Sequence, residues 1–265
     1  MTRKKNVVAV MSPKGGVGKT VTTANLAAAL ALIYDKKVLA IDTNVSTASL
    51  GLHFNIYYPD KTIDEISEKS IYESISIYHQ NLHVIPASIR IKKESRNLKK
   101  VRENLLKTIK NYEKFLDKIS EEYDLVLLDC SPGFDLESIA AMEVAGGLII
   151  VTNPDYPSVV TAIKAMEYAK RSGMPVGGII LNKIKNKRYE LKSEEIEKAL
   201  GAKIIGQIPY DKRVPESISN NKPVVLFKTN SKSGKAFRKV AASIIGENPE
   251  KSWFANFLDR LRSKD

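Results

Sequence analysis

Cysteine occurs once in this 265-residue chain and histidine three times, and each scarcity closes off a class of chemistry. The lone thiol, Cys130, permits neither an internal disulfide nor a cysteine-built metal site within one chain, a usage that fits a reducing compartment. It follows the aspartate that ends an apolar run and reads as a small residue packed at a strand end. His53, His79 and His83 show no H-E-x-x-H pattern and no paired ligand spacing, so they read as surface or hydrogen-bonded core residues. No Ser-His-Asp order is recognisable. Long apolar runs are missing as well. Nothing approaches the roughly 18 apolar residues of a membrane span. The run after the basic "MTRKKN" start is about five residues, too short for a secretory signal. The expected location of the body is the cytosol.

What the chain does have is a core and a charge. Hydrophobic residues make up 43%, and 42 basic residues against 30 acidic give a net charge of +12. That excess points to an anionic partner: a nucleotide, a nucleic acid or a membrane surface. Short β-branched runs alternate with longer segments of helical period. Strands are expected at 6–11, 37–42, 82–87, 124–129, 147–153, 177–182 and 202–209. Most are apolar at consecutive positions, the pattern of parallel strands buried on both faces. Helices are expected at 18–34, about 95–120, 135–145, 157–172, 190–200 and 232–246. In the second, Leu98, Val101, Leu105, Ile109, Tyr112, Phe115 and Ile119 recur at spacings of three and four on one face. The expected fold is α/β: a doubly wound, mostly parallel sheet with helices on both faces. Its ligand site should lie beyond the C-terminal ends of the strands. Gly246 is a good helix stop and Pro249 bars simple continuation. One domain is therefore expected over residues 1–246, followed by a tail over 247–265.

The stretch "MSPKGGVGKT", Met11 to Thr20, occupies an expected strand-to-helix turn. Gly15, Gly16 and Gly18 allow positive φ and let the backbone N–H groups turn inward without a side-chain clash. Lys19 can reach the β- and γ-phosphates of a nucleotide, and the Thr20 hydroxyl can ligate Mg²⁺. The helix that follows offers its N-terminus to the anion. In the ordinary G-x-x-x-x-G-K-T pattern the first glycine would fall on Pro13, and Lys14 stands beside it as a second lysine. Alone, such a lysine would read as a solvated loop residue.

The full spelling "KGGVGKT" resembles the deviant Walker A loop of the MinD/ParA family of ATPases. The resemblance implies that Lys14 crosses a homodimer interface and contacts the phosphates of the nucleotide held by the other subunit. It implies ATP and Mg²⁺ as cofactors, with Lys14, Gly15, Gly16, Val17, Gly18, Lys19, Thr20 and Val21 forming the cradle. "VLAIDTN" supplies Asp42 at a strand end, and "DLVLLDCSPG" is similar to the family's Walker B and switch II segments. There Asp129 would hold a Mg²⁺-bound water, with Asp42 and Thr20 completing the metal set, and Gly133 would meet the γ-phosphate. In the family the positions of Asn182, Pro209, Tyr210 and Asp211 line the adenine pocket. The likeness runs from about residue 6 to 246 and is nearest to the MinD branch. One position departs from it. The family usually places a second aspartate two residues after the first, for the hydrolytic water, and here Asn44 stands there. Asparagine can orient a water but cannot accept its proton, so the catalytic set Lys14, Lys19, Asp42 and Asn44 predicts slow hydrolysis.

In the tail, Trp253, Phe254, Phe257, Leu258 and Leu261 fall within about 140° of a helix turning about 100° per residue. Basic residues flank that stripe. This describes a helix lying on an anionic membrane surface, and MinD-family proteins resemble it in ending with a membrane-targeting helix. The same stripe would also suit a helix docked on the body. Two tails on an ATP-held dimer would bind more firmly than one. The expectation is a cytoplasmic protein, peripheral on the inner face of the membrane when ATP-bound and released when a regulatory partner protein stimulates hydrolysis. A second basic concentration at 90–110 has nine lysines and arginines against two glutamates. It reads as the solvated face of the long helix, with DNA phosphate binding of the ParA kind as the alternative. Iron–sulfur relatives need more than one cysteine, so no such cluster is expected.

Overall fold

A computed structural model describes residues 3–44, 47–63, 71–88 and 98–246. The 253–261 stripe and the first part of the basic 90–110 segment lie outside the described residues. Eight strands form one sheet: β1 (Lys4–Met11), β2 (Val38–Asp42), β3 (Ser76–His79), β4 (Leu82–Ile85), β5 (Leu125–Asp129), β6 (Ala145–Thr152), β7 (Val176–Ile184) and β8 (Ile204–Pro209). Their order is β3-β4-β2-β5-β1-β6-β7-β8, parallel throughout except for the antiparallel β3–β4 pair. This is the expected doubly wound arrangement, with β1 in the middle.

The continuous apolar runs make sense because alternate residues enter opposite cores. Val7, Ala9 and Met11 of β1 face one side, where α2 (Leu98–Ile119), α3 (Leu136–Val144), α4 (Tyr156–Arg171) and α5 (Ser193–Leu200) cover the sheet. Val8 and Val10 face the other, beneath α1 (Lys19–Leu32) and α8 (Lys232–Ile244). Two shorter helices, α6 (Arg213–Ser219) and α7 (Val224–Phe227), connect β8 to α8. On α2, the buried residues Ile109, Tyr112, Phe115 and Ile119 lie on the face read from their spacing, joined by Leu116. Phe237 of α8 is fully buried, which contributes roughly 1.5–3 kcal/mol.

Two differences from the sequence reading have a physical cause. β3 escapes the search for apolar runs because it is a four-residue edge strand with Ile77 pointing outward, 73% exposed. The helix expected from 190 starts at Ser193. Before it, the Glu190 carboxylate accepts bonds from the Lys185 and Lys187 amides, folding 185–190 into a tight loop. At the other end of the domain α8 stops at Ile244, and Gly246 has φ of +75°.

Candidate nucleotide site

The turn from β1 into α1 is shaped by two left-handed glycines, Gly16 at φ +77° and Gly18 at φ +92°. Gly18 is also the N-cap of α1 and supplies no side-chain cap. The first-turn amides are therefore left for an external acceptor. Over this turn opens a cavity of about 440 Å³. It is lined by Lys14, Gly15, Gly16, Val17, Gly18, Lys19, Thr20, Val21, Asn44, Asn182, Pro209, Tyr210 and Asp211. All thirteen were singled out in the sequence; Thr47, Ser49 and Lys183, also on the wall, were not. The apolar end of the cavity adds Val214, Pro215 and Ile218 from α6 and Phe237 from α8. The signal of the three α6 residues was the apolar spacing in "RVPESI", which the helix-free reading of that segment passed over. Its volume lies within the range typical of small-ligand sites. Gly133 is not on the wall; its φ is +96°, its N–H donates to the Ser12 carbonyl at 3.3 Å, and the neighbouring Pro132 lines the cavity.

Beneath the loop lie two carboxylates on adjacent strand ends, Asp42 and Asp129, paired in register across β2 and β5. Asp129 is fully buried. Its Oδ1 accepts from the Lys19 ammonium at 3.0 Å and from the Thr23 hydroxyl at 2.9 Å. Its Oδ2 is buried with no hydrogen-bond partner among the described residues. An orphaned carboxylate oxygen costs free energy unless something arrives to meet it. Asp42 accepts from three backbone amides, Asn44 on Oδ1 and Ser49 and Leu50 on Oδ2. Burial nevertheless pushes its pKa up to about 7, helped by the charge of Asp129 and opposed by those amides. Two buried carboxylates beside a lysine-bearing anion cradle fit a small divalent cation that takes its remaining ligands from phosphate and water. Among the described residues no group of three or more His, Cys, Asp and Glu forms a self-sufficient metal cage.

The sign of the Asp42 shift gives a testable consequence. Its folded pKa lies above the ordinary 3.8, so between about 4 and 7 the folded protein holds a proton that the unfolded chain releases. Stability from this group therefore falls as pH rises through that window, by at most about 1.4 kcal/mol per pH unit. Thermal melts in EDTA from pH 5.5 to 8 are expected to show wild type losing ground to Asp42→Asn as pH rises. Parallel curves would rule the effect out.

Asn44 is buried and exchanges bonds with Thr47: its Nδ2 donates to the Thr47 hydroxyl at 2.7 Å and its Oδ1 accepts from the Thr47 amide at 3.2 Å. Lys14 donates to the Asp155 carboxylate at 3.2 Å and to the Ser158 hydroxyl at 2.9 Å, at the N-terminus of α4. Asp155 is the N-cap there. Its pKa is lowered because the Ser158 bonds and Lys14 outweigh the upward push of burial. Neither Asp155 nor Ser158 was marked in the sequence, since both lie more than 140 residues from the lysine they hold. The residues set aside behave as read. His53 is buried with its pKa lowered by burial. The buried Cys130 thiol is pushed up to about 12, mainly by burial.

Comparison with known proteins agrees with this geometry. Residues 5–171 match the AAA domain family, which sets the class: a P-loop ATPase domain. An uncharacterized ATP-binding protein of Methanocaldococcus jannaschii is 30% identical over 242 residues, covering 91% of this chain and 88% of that protein. Among solved structures, the cell division ATPase MinD of Pyrococcus furiosus is similar with a TM-score of 0.80 at 27% identity, over 92% of this chain and 100% of that one. The MinD of Pyrococcus horikoshii, solved with Mg-ADP, gives a TM-score of 0.76 at 27% identity, over 92% and 96%. The chain belongs to the MinD/ParA family of ATPases.

Proposed function

We propose that this chain is a MinD-like, Mg-ATP-dependent switch that pairs with a second copy of itself. In the ATP state it binds an anionic membrane surface and positions cell-division or other cellular machinery. The observation that carries the reading is the orphaned Oδ2 of Asp129 beneath a glycine nest, beside Asp42 and below a cavity of nucleotide size. Thr20, Asp42 and, through a water, Asp129 would hold Mg²⁺, which neutralises developing charge on the phosphate oxygens when bound. The loop amides and the N-terminus of α1 take the phosphates. Lys19 leaves Asp129 to serve them. Pro209 and Tyr210 at the end of β8, with α6 and Phe237, cover the base. Asn182 and Asp211 edge that pocket. Asn44 orients the attacking water without being able to accept its proton, which makes hydrolysis slow until a regulatory partner intervenes. Gly133 turns its amide from Ser12 toward the γ-phosphate, and Lys14 exchanges Asp155 for the nucleotide of the other subunit. The tail stripe, Trp253, Phe254, Phe257, Leu258 and Leu261, provides the membrane anchor. Among the described residues no helix is long and apolar enough to cross a membrane.

A ParA-like DNA-binding function is the second reading, favoured by a basic edge at the strand ends. Lys185, Lys187, Arg188 and Lys192 are all exposed there, around an outward-facing Tyr189. Co-sedimentation with anionic liposomes and with DNA, each with ATP, separates the two. The full chain is expected to pellet with lipid, and a Trp253→Glu/Phe257→Glu variant is not. DNA binding by both proteins, with lipid binding by neither, would establish the second reading instead. In single-turnover hydrolysis of the same preparations Asn44→Asp is expected to be faster. A fast wild-type rate that Asn44→Asp leaves unchanged would refute the slow-switch mechanism.

A further inference from the structure

Left-handed glycines turn a loop's N–H groups inward, and the same rotation sends the carbonyls the other way. In this loop the outward carbonyls of Gly16 and Val17 are both met, and from one place. The Asn182 amide donates to the Val17 carbonyl at 2.8 Å, and the Lys183 ammonium donates to the Gly16 carbonyl at 2.6 Å. Asn153, with its amide nitrogen turned to the carbonyls around it, adds bonds of 3.2 Å to Val17 and to the Asn182 backbone. Asn182 spends its Oδ1 on the Lys183 backbone amide at 2.9 Å, which fixes its side chain against the backbone that carries Lys183.

The backbone is bent to put them there. Between Leu181 and Ile184 the register of β7 against β8 shifts, with Leu181 opposite Gln207 and Ile184 opposite Pro209. One extra β7 residue is accommodated, the signature of a bulge, and bulges re-aim side chains beside functional sites. Lys183 sits in that bulge at φ +58°, a left-handed conformation that a lysine seldom adopts. Strain of this kind persists only where the surroundings impose it. Here the result is an exposed lysine on the cavity wall beside the phosphate loop, 167 residues from the carbonyl it caps.

We propose that Lys183 is a positioning residue for the phosphate loop: with Asn182 it pins the Gly16 and Val17 carbonyls outward and so keeps the loop's amides aimed at the nucleotide. The inference rests on the reading of this cavity as the nucleotide site. Lys183 acts through the loop and not by touching the γ-phosphate, so it serves ADP and ATP alike.

Lys183→Met tests this, since methionine keeps the length and the left-handed backbone cost while removing the charged donor. Fluorescent methylanthraniloyl-ADP and -ATP titrations are expected to show both affinities falling about tenfold, with Lys183→Arg restoring most of the loss. At saturating ATP, kcat is expected to stay within about twofold while KM rises, and the urea midpoint is expected not to move, as the side chain is exposed. Unchanged affinity in Lys183→Met would overturn the proposal, as would a loss confined to the ATP probe, which would mark a direct γ-phosphate contact. An arginine variant as weak as the methionine one would also overturn it. Failure of the wild-type protein to bind either probe would instead remove the nucleotide reading itself.

Discussion

Replacing Lys19 with methionine is expected to cost the nucleotide-free protein about 3 kcal/mol of stability as well as nearly all of its ATP turnover. The first effect does not follow from the motif. Lys19 is 7% exposed and Asp129 is fully buried, and their 3.0 Å pair is the only charge compensation the described residues give Asp129. Removing one partner of such a pair leaves an uncompensated buried carboxylate, at about 3–5 kcal/mol. The lower figure applies because Asp129 keeps the Thr23 hydroxyl. Urea unfolding measures it. Lys19→Met/Asp129→Asn is expected to recover most of the loss, a coupling that a double-mutant cycle isolates. Turnover is expected to fall at least about 100-fold in both variants, since the developing phosphate charge loses its nearest cation. A single variant as stable as wild type would show that the pair adds nothing.

The second large effect is expected at Gly18. A Cβ there would lie 2.3 Å from the Asn182 amide nitrogen, and the φ of +92° is hostile to any L side chain. The conformation alone costs about 1–2 kcal/mol, and displaced Asn182 forfeits its bond to Val17. Gly18→Ala is expected to lose about 2–3 kcal/mol in urea and to weaken nucleotide binding about 100-fold. Gly15 provides the contrast within the same loop. Its Cβ would meet only Pro132, at 3.9 Å, and its φ is not positive. Gly15→Ala is expected to unfold within about 0.5 kcal/mol of wild type. Equal losses at the two glycines would remove the steric argument. Combining Gly18→Ala with Asn182→Gly should relieve the clash but not the backbone strain, and so recover only part of the stability.

How far the sequence exposed this site depended on the range of the contacts involved. The phosphate loop is spelled in seven consecutive residues, and its chemistry follows from backbone permissiveness at Gly16 and Gly18. Asp42 and Asp129 were legible because each ends an unbroken apolar run, and parallel strands deliver such ends to one edge. The doubly wound sheet followed from the same runs. What stayed hidden was whatever one distant segment does to another. Asn182 was read for the base pocket, yet its amide nitrogen holds Val17, 165 residues away. Lys14 was read as reaching across to another chain, and in this single chain it rests on α4. Lys183 was given no role, because a bulge and a left-handed lysine are consequences of packing that no local pattern announces. β3 was hidden for a different reason: with one face open it lacks the apolar continuity that marks its neighbours.

The Lys19–Asp129 pair has a further consequence for ligand entry. The loop presents a closed ion pair, so occupation is an exchange of partners and not the filling of a vacant charge. A nucleotide arriving alone must draw Lys19 away and strand a buried anion; a cation arriving alone meets the free Oδ2 of Asp129 but faces the Lys19 charge already held on Oδ1. Each arrival removes the obstacle to the other. Their affinities are therefore expected to be reciprocally coupled, and the site should behave as a gate for the metal–nucleotide complex, largely indifferent to either component by itself.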